Sequence, residues 1–197
     1  LEGLFGVRQI STGDILRANL AQGTALGLKA KSFMDAGELV PDGVVIGMME
    51  AELGVSRSFV LDGFPRTVAQ AEALDVLLRR LELPLTGVLL FDADRPTLIA
   101  RLTGRWSNPR SGRTYHAEFK PPRVAGIDDD DGGPLVQRPD DTPGVVVDRL
   151  AEYDRKTAPL IGYYANAGLL VRIDGLKTIE AVTADVLAAL DGRHEAA

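Results

Sequence analysis

The chain has 197 residues, 45% of them apolar and 25% charged, with a formal net charge of −6. Those values describe a globular chain of ordinary domain size with room for an inserted lobe, and the acidic balance argues against nucleic acid as the main partner. No run approaches the roughly 18 apolar residues of a membrane span, no targeting signal is visible, and the lack of cysteine excludes disulfides and thiolate metal sites, which fits a reducing, cytoplasmic setting.

The opening Leu1-Glu2-Gly3-Leu4-Phe5-Gly6 reads as a helix tail closed by glycine, which predicts an N-terminally truncated fragment. Residues 7–10 read as a short strand. Ser11-Thr12-Gly13-Asp14 then suits the cap of a helix carrying Ile15, Leu16 and Leu20. Gln22-Gly23-Thr24 breaks that helix, and Thr24 caps a second one through Met34, closed by Gly37. After a linker at 38–42, Asp42 is expected to cap a third helix with Val45, Ile46, Met49 and Leu53 on it, the methionines serving as core filler.

An apolar strand, Phe59-Val60-Leu61, leads into Asp62-Gly63-Phe64-Pro65-Arg66. A carboxylate and a guanidinium at the carboxyl end of a buried strand occupy the place where open α/β sheets bind ligands. Arg66 offers a planar fork for a phosphate, Asp62 offers oxygens for Mg2+, and Gly63 lets a ligand approach the backbone. The bland reading of the same residues is a strand-turn-helix corner. The next helix, from Thr67, places Ala69, Ala73, Leu74, Leu77, Leu78 and Leu81 on one side. Gly87-Val88-Leu89-Leu90-Phe91 reads as a strand buried in a parallel sheet, followed by a helix with Leu98, Ile99 and Leu102. Arg101 and Arg105, four apart, are expected on one face of that helix, where they repel unless an anion binds.

Residues 105–137 lose helical periodicity and are rich in Gly, Pro, Ser, Arg and Asp, which predicts short hairpins and a mobile lid. The run Asp128-Asp129-Asp130-Asp131 reads as a solvated hairpin tip, and Trp106 as packing within this segment. Helical pattern resumes from Asp140 through Leu160, an apolar strand occupies 169–173, and a last helix spans 178–190. Strands alternating with helices argue for a parallel α/β sheet.

Five segments occur in order at compatible spacings: Ser11-Thr12-Gly13-Asp14-Ile15-Leu16-Arg17; Asp62-Gly63-Phe64-Pro65-Arg66 with Gln70; Arg101-Leu102-Thr103-Gly104-Arg105; Arg138-Pro139-Asp140-Asp141 with Arg149; and Thr157-Ala158-Pro159-Leu160-Ile161. With them the chain resembles the adenylate kinases, in the bacterial form with a long lid, over essentially its whole length. The resemblance implies a P-loop-kinase-type parallel sheet with flanking helices, a helical AMP-binding subdomain at about 11–41 within a core of 1–104, an inserted β-hairpin lid at 105–137, and the rest of the core at 138–197. It implies reversible transfer from ATP to AMP, giving two ADP, by a cytoplasmic monomer with Mg2+ accompanying ATP.

Carried over position by position, Arg17 and Arg66 resemble the clamp on the AMP phosphate. Thr12, Glu38, Leu39, Val40, Gly63 and Gln70 resemble the AMP pocket, the Gln70 amide both donating to and accepting from an adenine edge. Arg101, Arg105, Thr114, Tyr115 and Lys177 fall on the ATP side. Arg138 and Arg149 resemble the pair that enters the site when the lid closes, with Asp140 and Asp141 orienting that charge network. Asp14 and Asp62 resemble the acids near Mg2+, acting through water. His116 lies in a segment that resembles the lid over ATP, and its expected role is packing around the nucleoside. Related lids often carry cysteine zinc sites. Asn108, Ser111, Asp128 and Asp131 fall at those positions and suit a hydrogen-bonded polar cluster, so no zinc is expected.

The chain departs from the family in one respect. It contains no G-x-x-x-x-G-K-[ST] and no strand leading into one, so the resemblance implies a missing central strand and a 197-residue polypeptide that is inactive although its complete parent is active. The alternatives left open are a non-catalytic nucleotide-binding protein and a GTP-using AMP phosphotransferase.

Overall fold

The computed structural model describes residues 6–36, 38–54 and 58–194. Leu1 to Phe5 of the opening reading and the cap expected at Gly37 lie outside the described residues. Strand β1 (Arg8–Ser11) pairs in parallel with β2 (Phe59–Asp62), Ser11 opposite Asp62. Helices α1 (Thr12–Ala21), α2 (Ala25–Asp35) and α3 (Asp42–Leu53) lie between them in sequence. Two caps form as the hydroxyls predict: Ser11 Oγ accepts from the Asp14 N–H at 3.3 Å and Thr24 Oγ1 from the Gly27 N–H at 3.1 Å.

Asp42 does not cap α3. It is the first helical residue, behind Pro41, and no side chain caps that end. Its carboxylate instead accepts from Thr67 Oγ1 at 3.0 Å and from Gln70 Nε2 at 2.7 Å. Thr67 caps α4 (Val68–Leu81), whose buried side carries Gln70, Ala71, Leu74, Leu77 and Leu78; Ala69, expected there, faces solvent. Ile10, Leu16, Ala30, Val45, Met49, Leu53, Leu74 and Leu78 form the main core, each large side chain contributing on the order of 1.5–3 kcal/mol through burial.

The second parallel pair is β3 (Val88–Asp92) with β6 (Leu170–Asp174). Among the described residues no strand joins β2 to β3, so the parallel strands stand as two pairs and not as one sheet. This changes the expected burial of β3. Paired along one edge only, it is half-buried at most, and Phe91 is 51% exposed.

Helix α5 (Arg95–Thr103) is capped by Asp94, whose carboxylate accepts from the Thr97 N–H at 2.8 Å. It ends at Gly104, so Arg105 opens β4 (Arg105–Ser107) and does not share a helix face with Arg101. β4 pairs antiparallel with β5 (Thr114–His116), and bridges Ser107–Val136 and Ile127–Pro134 close the rest of the hairpin segment. Trp106 is partly exposed on it and not packed away. A 3-10 turn (Pro139–Asp141) leads into α6 (Pro143–Glu152), a π-helical turn (Tyr153–Thr157) and α7 (Pro159–Asn166). The widened turn precedes Pro159, which has no N–H to continue an α ladder. Helix α8 (Ile179–His194) follows β6. No helix of the described residues is long and apolar enough to cross a membrane.

Candidate active site

The register of β1 on β2 brings two corners together at their carboxyl ends: the start of α1 and the loop 63–66. Thr12 is buried, and its Oγ1 donates to the Gly63 carbonyl at 3.0 Å. Gly63 has φ +72, and a Cβ there would lie 2.7 Å from Arg66 Nη2 and 3.2 Å from Thr12 Oγ1, so the turn admits glycine alone without strain. The Phe64–Pro65 peptide is cis. Arg66 is held from three sides. Its Nε donates to the Gly63 carbonyl at 2.8 Å, its backbone N–H to Gln70 Oε1 at 2.7 Å, and its carbonyl accepts from Thr157 Oγ1 at 2.9 Å. The guanidinium is thus aimed by backbone contacts and not by a carboxylate.

Around it gather the other arginines. Burial, followed by the charges of Arg149 and Arg17, pulls the Arg66 guanidinium below its ordinary pKa. Arg138 shifts the same way, through burial and the charges of Arg17 and Arg105. Arg138 Nε donates to Ser107 Oγ at 3.4 Å, and the Asp141 and Asp140 carboxylates act on it through charge without an ion pair. Among the described residues, neither Arg66 nor Arg138 forms an ion pair.

The remaining cations are paired. Arg105 meets the fully buried Asp141 in a two-pronged bond, Nε to Oδ2 at 2.8 Å and Nη2 to Oδ1 at 2.6 Å, and this bond raises its pKa against the pull of burial. Arg149 Nη1 reaches the Asp140 carbonyl at 3.0 Å, Asp140 Oδ2 at 3.3 Å and Asp141 Oδ1 at 3.4 Å. Arg17 pairs with Asp14 at 2.5 Å; burial is the largest influence on Asp14 and opposes its ionisation, but the bond and charge of Arg17, with Ser11 and the charge of Arg138, together keep the carboxyl below its usual range. Asp62 is exposed and accepts from Gln9 Nε2 at 3.4 Å. Arg17, Arg66, Arg105, Arg138 and Arg149, with Asp14, Asp62, Asp140 and Asp141, therefore form one charge cluster drawn from four separate stretches of chain.

Other residues singled out by sequence are placed elsewhere. Gln70 is 2% exposed, and each end of its amide already holds a partner. Arg101 Nη1 donates to the Gly175 carbonyl at 2.7 Å, tying α5 to the end of β6. Near there a cleft of about 450 Å³ is lined by Asp92, Ala93, Asp94, Arg172, Asp174 and Leu176. Lys177 pairs with Asp185 at 2.7 Å, and Thr114 is exposed on β5. Tyr115 is buried in the hairpin, where its OH donates to Asp128 Oδ1 at 3.2 Å. His116 packs on Phe119 and accepts at Nδ1 from the Glu118 and Phe119 N–H groups at 3.0 Å each, so its Nε2 proton points to the Ala100 carbonyl at 3.2 Å. It fastens the hairpin to α5. Glu38 is exposed, Leu39 half-buried and Val40 buried.

Asn108, Ser111, Asp128 and Asp131 do converge. Asn108 Nδ2 donates to Asp128 Oδ2 at 2.9 Å and to Asp131 Oδ1 at 2.8 Å, and Ser111 Oγ lies 3.2 Å from Asp128 Oδ2. The acidic run is not simply a solvated tip, because Asp128 is buried at the centre of this cluster. Sequence reasoning missed the contacts of two residues that hold the arginine corner: Asp42 reaches Thr67 and Gln70 across 25 and 28 residues, and Thr157 reaches Arg66 across 91. Asp42 carried a capping signal and Thr157 lay in a family segment, but neither pointed to these partners.

The adenylate kinase family model matches residues 1–169 of the chain. An adenylate kinase of Carboxydothermus hydrogenoformans is 51% identical over 189 residues, covering 94% of this chain and 88% of that protein. Adenylate kinases of Citrifermentans bemidjiense and of Methanocella arvoryzae are each 49% identical over 189 residues, with the same coverage of 94% and 88%.

Proposed function

The chain belongs to the adenylate kinase family, and from that premise we propose that its arginine cluster joins ATP and AMP and moves a phosphoryl group between them. An oxygen of the AMP phosphate attacks the γ-phosphorus of ATP, the bond to the β-γ bridging oxygen breaks, and two ADP leave. Such a transfer needs little covalent chemistry from the protein. It needs two anionic chains held in line, their charge cancelled, and water kept out.

The observation that carries this reading is a pair of cations, Arg66 and Arg138, that form no ion pair among the described residues, inside a cluster whose other arginines are paired. Arg66 and Arg138, held below their ordinary pKa by burial and by neighbouring arginine charges, are stabilised by an incoming anion. Arg66 and Arg17 hold the AMP phosphate, Thr12, Gly63, Gln70 and the backbone of 38–40 enclose the nucleoside, and Arg105, Arg138 and Arg149 meet the transferring group. Asp140 and Asp141 orient these arginines. The segment 105–137 acts as the lid, and Arg101, Thr114, Tyr115 and Lys177 lie on its ATP side. Asp14 and Asp62 present carboxylate oxygens near the cluster, a donor set suited to Mg2+ held through water. Mg2+ arriving with ATP would supply further neutralisation of phosphate charge. The lid's polar cluster spends its groups on one another and takes no zinc. Among the described residues β2 and β3 each pair along one edge, and the opposite edges suit a further parallel strand. A polypeptide of these 197 residues, which contain no glycine-rich phosphate loop, is proposed to hold the acceptor far better than it performs transfer.

The test is calorimetric titration with a bisubstrate analogue, two adenosines joined by five phosphates, and with AMP as competitor. Binding of one analogue per chain that AMP displaces is expected, and Arg66→Met should weaken it about 10- to 100-fold. An analogue that fails to bind, or binds equally well to the Arg66→Met variant, would overturn the reading.

A further inference from the structure

Asp42 lies outside every segment that carries the family resemblance, yet its carboxylate is spent entirely on the acceptor side of the cluster. One oxygen takes the Gln70 Nε2 proton at 2.7 Å, and the other takes the Thr67 hydroxyl at 3.0 Å. Thr67 Oγ1 also accepts from the Gln70 backbone N–H at 3.1 Å, so Gln70 is gripped at backbone and side chain by one pair of residues. The opposite end of the amide, Oε1, accepts the Arg66 N–H at 2.7 Å. A carboxamide has two N–H donors and two acceptor lone pairs. These contacts use one of each and leave one donor and one acceptor, and they also decide which is which. Turning the amide over would set its NH2 against the Arg66 N–H and its oxygen against the Asp42 carboxylate, opposing like partners at both ends.

We propose that Asp42 is a positioning residue for base recognition: by holding Nε2 it fixes the donor–acceptor order of the Gln70 amide, and with it the preference for an adenine over a 6-oxopurine. The proposal rests on the acceptor-site reading given above. Adenine presents an acceptor at N1 and a donor at its 6-amino group, whereas hypoxanthine presents a donor at N1 and an acceptor at O6. An amide locked in one order complements the first and opposes the second; an amide free to turn serves both. Gln70 is 2% exposed, so it meets a base only after its cover shifts, and the two bonds carry its orientation through that shift. Asp42 also begins α3, directly after the 38–41 segment, so the lock joins the acceptor-binding helices to the Arg66 corner.

Calorimetric titration of the protein with AMP and with IMP tests this. Asp42→Leu removes both acceptor oxygens and is expected to reduce the AMP-over-IMP preference about tenfold, chiefly by weakening AMP. Asp42→Asn keeps an oxygen for Gln70 Nε2 and turns its NH2 to Thr67 Oγ1, so it should retain the preference to within about twofold. An Asp42→Leu protein that binds AMP and IMP in the wild-type ratio would overturn the proposal. If Asp42→Leu does not fold, Asp42→Ser, whose shorter side chain draws the acceptor away from Gln70 Nε2, takes its place and should lower the AMP-over-IMP preference by a similar factor. A wild-type ratio in that variant would overturn the proposal as well. Failure of the unaltered protein to bind AMP would instead remove the acceptor-site reading itself, and this proposal with it.

Discussion

Asp128 shows how one side chain can hold an irregular segment. It accepts from Asn108 Nδ2 at 2.9 Å, Arg113 Nη1 at 2.7 Å and the Asp130 N–H at 2.9 Å, and it is out of contact with solvent. Burial pushes its carboxyl up, but the Asp130 N–H, Asn108 and the Arg113 guanidinium together hold it well below the usual carboxylate range. A carboxyl whose folded value is depressed contributes stability in full above its unfolded value, about 3.9, and loses it as the pH falls from there towards the folded value. The hairpin segment should therefore begin to loosen below about pH 4. Fluorescence of Trp106, the one tryptophan of the chain, reports this, and Asp128→Asn should lose the acid-dependent step while loosening the segment at neutral pH. The same acid step in the variant would refute this account. Clustering of positions 108, 111, 128 and 131 was legible in sequence. The inward turn of Asp128 was not, because it depends on Arg113 and Tyr115 across the hairpin, and nothing local separates one of four consecutive acids from the next.

Among the elements, α1 and α2 pack backbone against backbone. A Cβ on Gly27, in the first turn of α2, would lie 2.4 Å from Asn19 C, Asn19 O and Leu20 N. These are backbone atoms and cannot step aside as a side chain would. Alanine favours a helix over glycine by about 1 kcal/mol, but forcing two helices apart costs typically 1–3 kcal/mol and at backbone contacts more. Gly27→Ala should therefore be net destabilising, by on the order of 1–2 kcal/mol, and should weaken AMP, because α1 carries Thr12 and Arg17. Chemical denaturation beside AMP titration measures both, and a stabilised variant would contradict the packing argument. Element positions were readable wherever a cap marks them, as at Ser11, Thr24 and Thr67. The misreadings, Asp42 as a cap and Arg105 as helical, arose where a local pattern competed with a partner distant in sequence, Gln70 in one case and Asp141 in the other.

At the scale of the molecule, a chain of net charge −6 concentrates Arg17, Arg66, Arg105, Arg138 and Arg149 in one place. Their mutual repulsion lowers stability, and an anion that bridges them restores it. Inorganic phosphate should raise the melting temperature beyond chloride of equal ionic strength, by a linkage contribution of about 1–3 kcal/mol at concentrations well above its dissociation constant, and Arg66→Met should reduce the gain. Equal effects of the two salts would count against the cluster as an anion seat. The alternation of strands and helices was evident in sequence; division of the parallel strands into two pairs was not, since pairing depends on which edges meet in space. The hairpin clasp has a consequence of another kind. Amide, hydroxyl and carboxylate groups have no thiol to oxidise. A fold clasped by Asn108, Ser111, Asp128 and Asp131 should keep its shape in peroxide or in a strong chelator, at concentrations that dismantle thiolate-held metal knuckles. Its vulnerability lies instead with protons: it exchanges dependence on redox poise for dependence on pH.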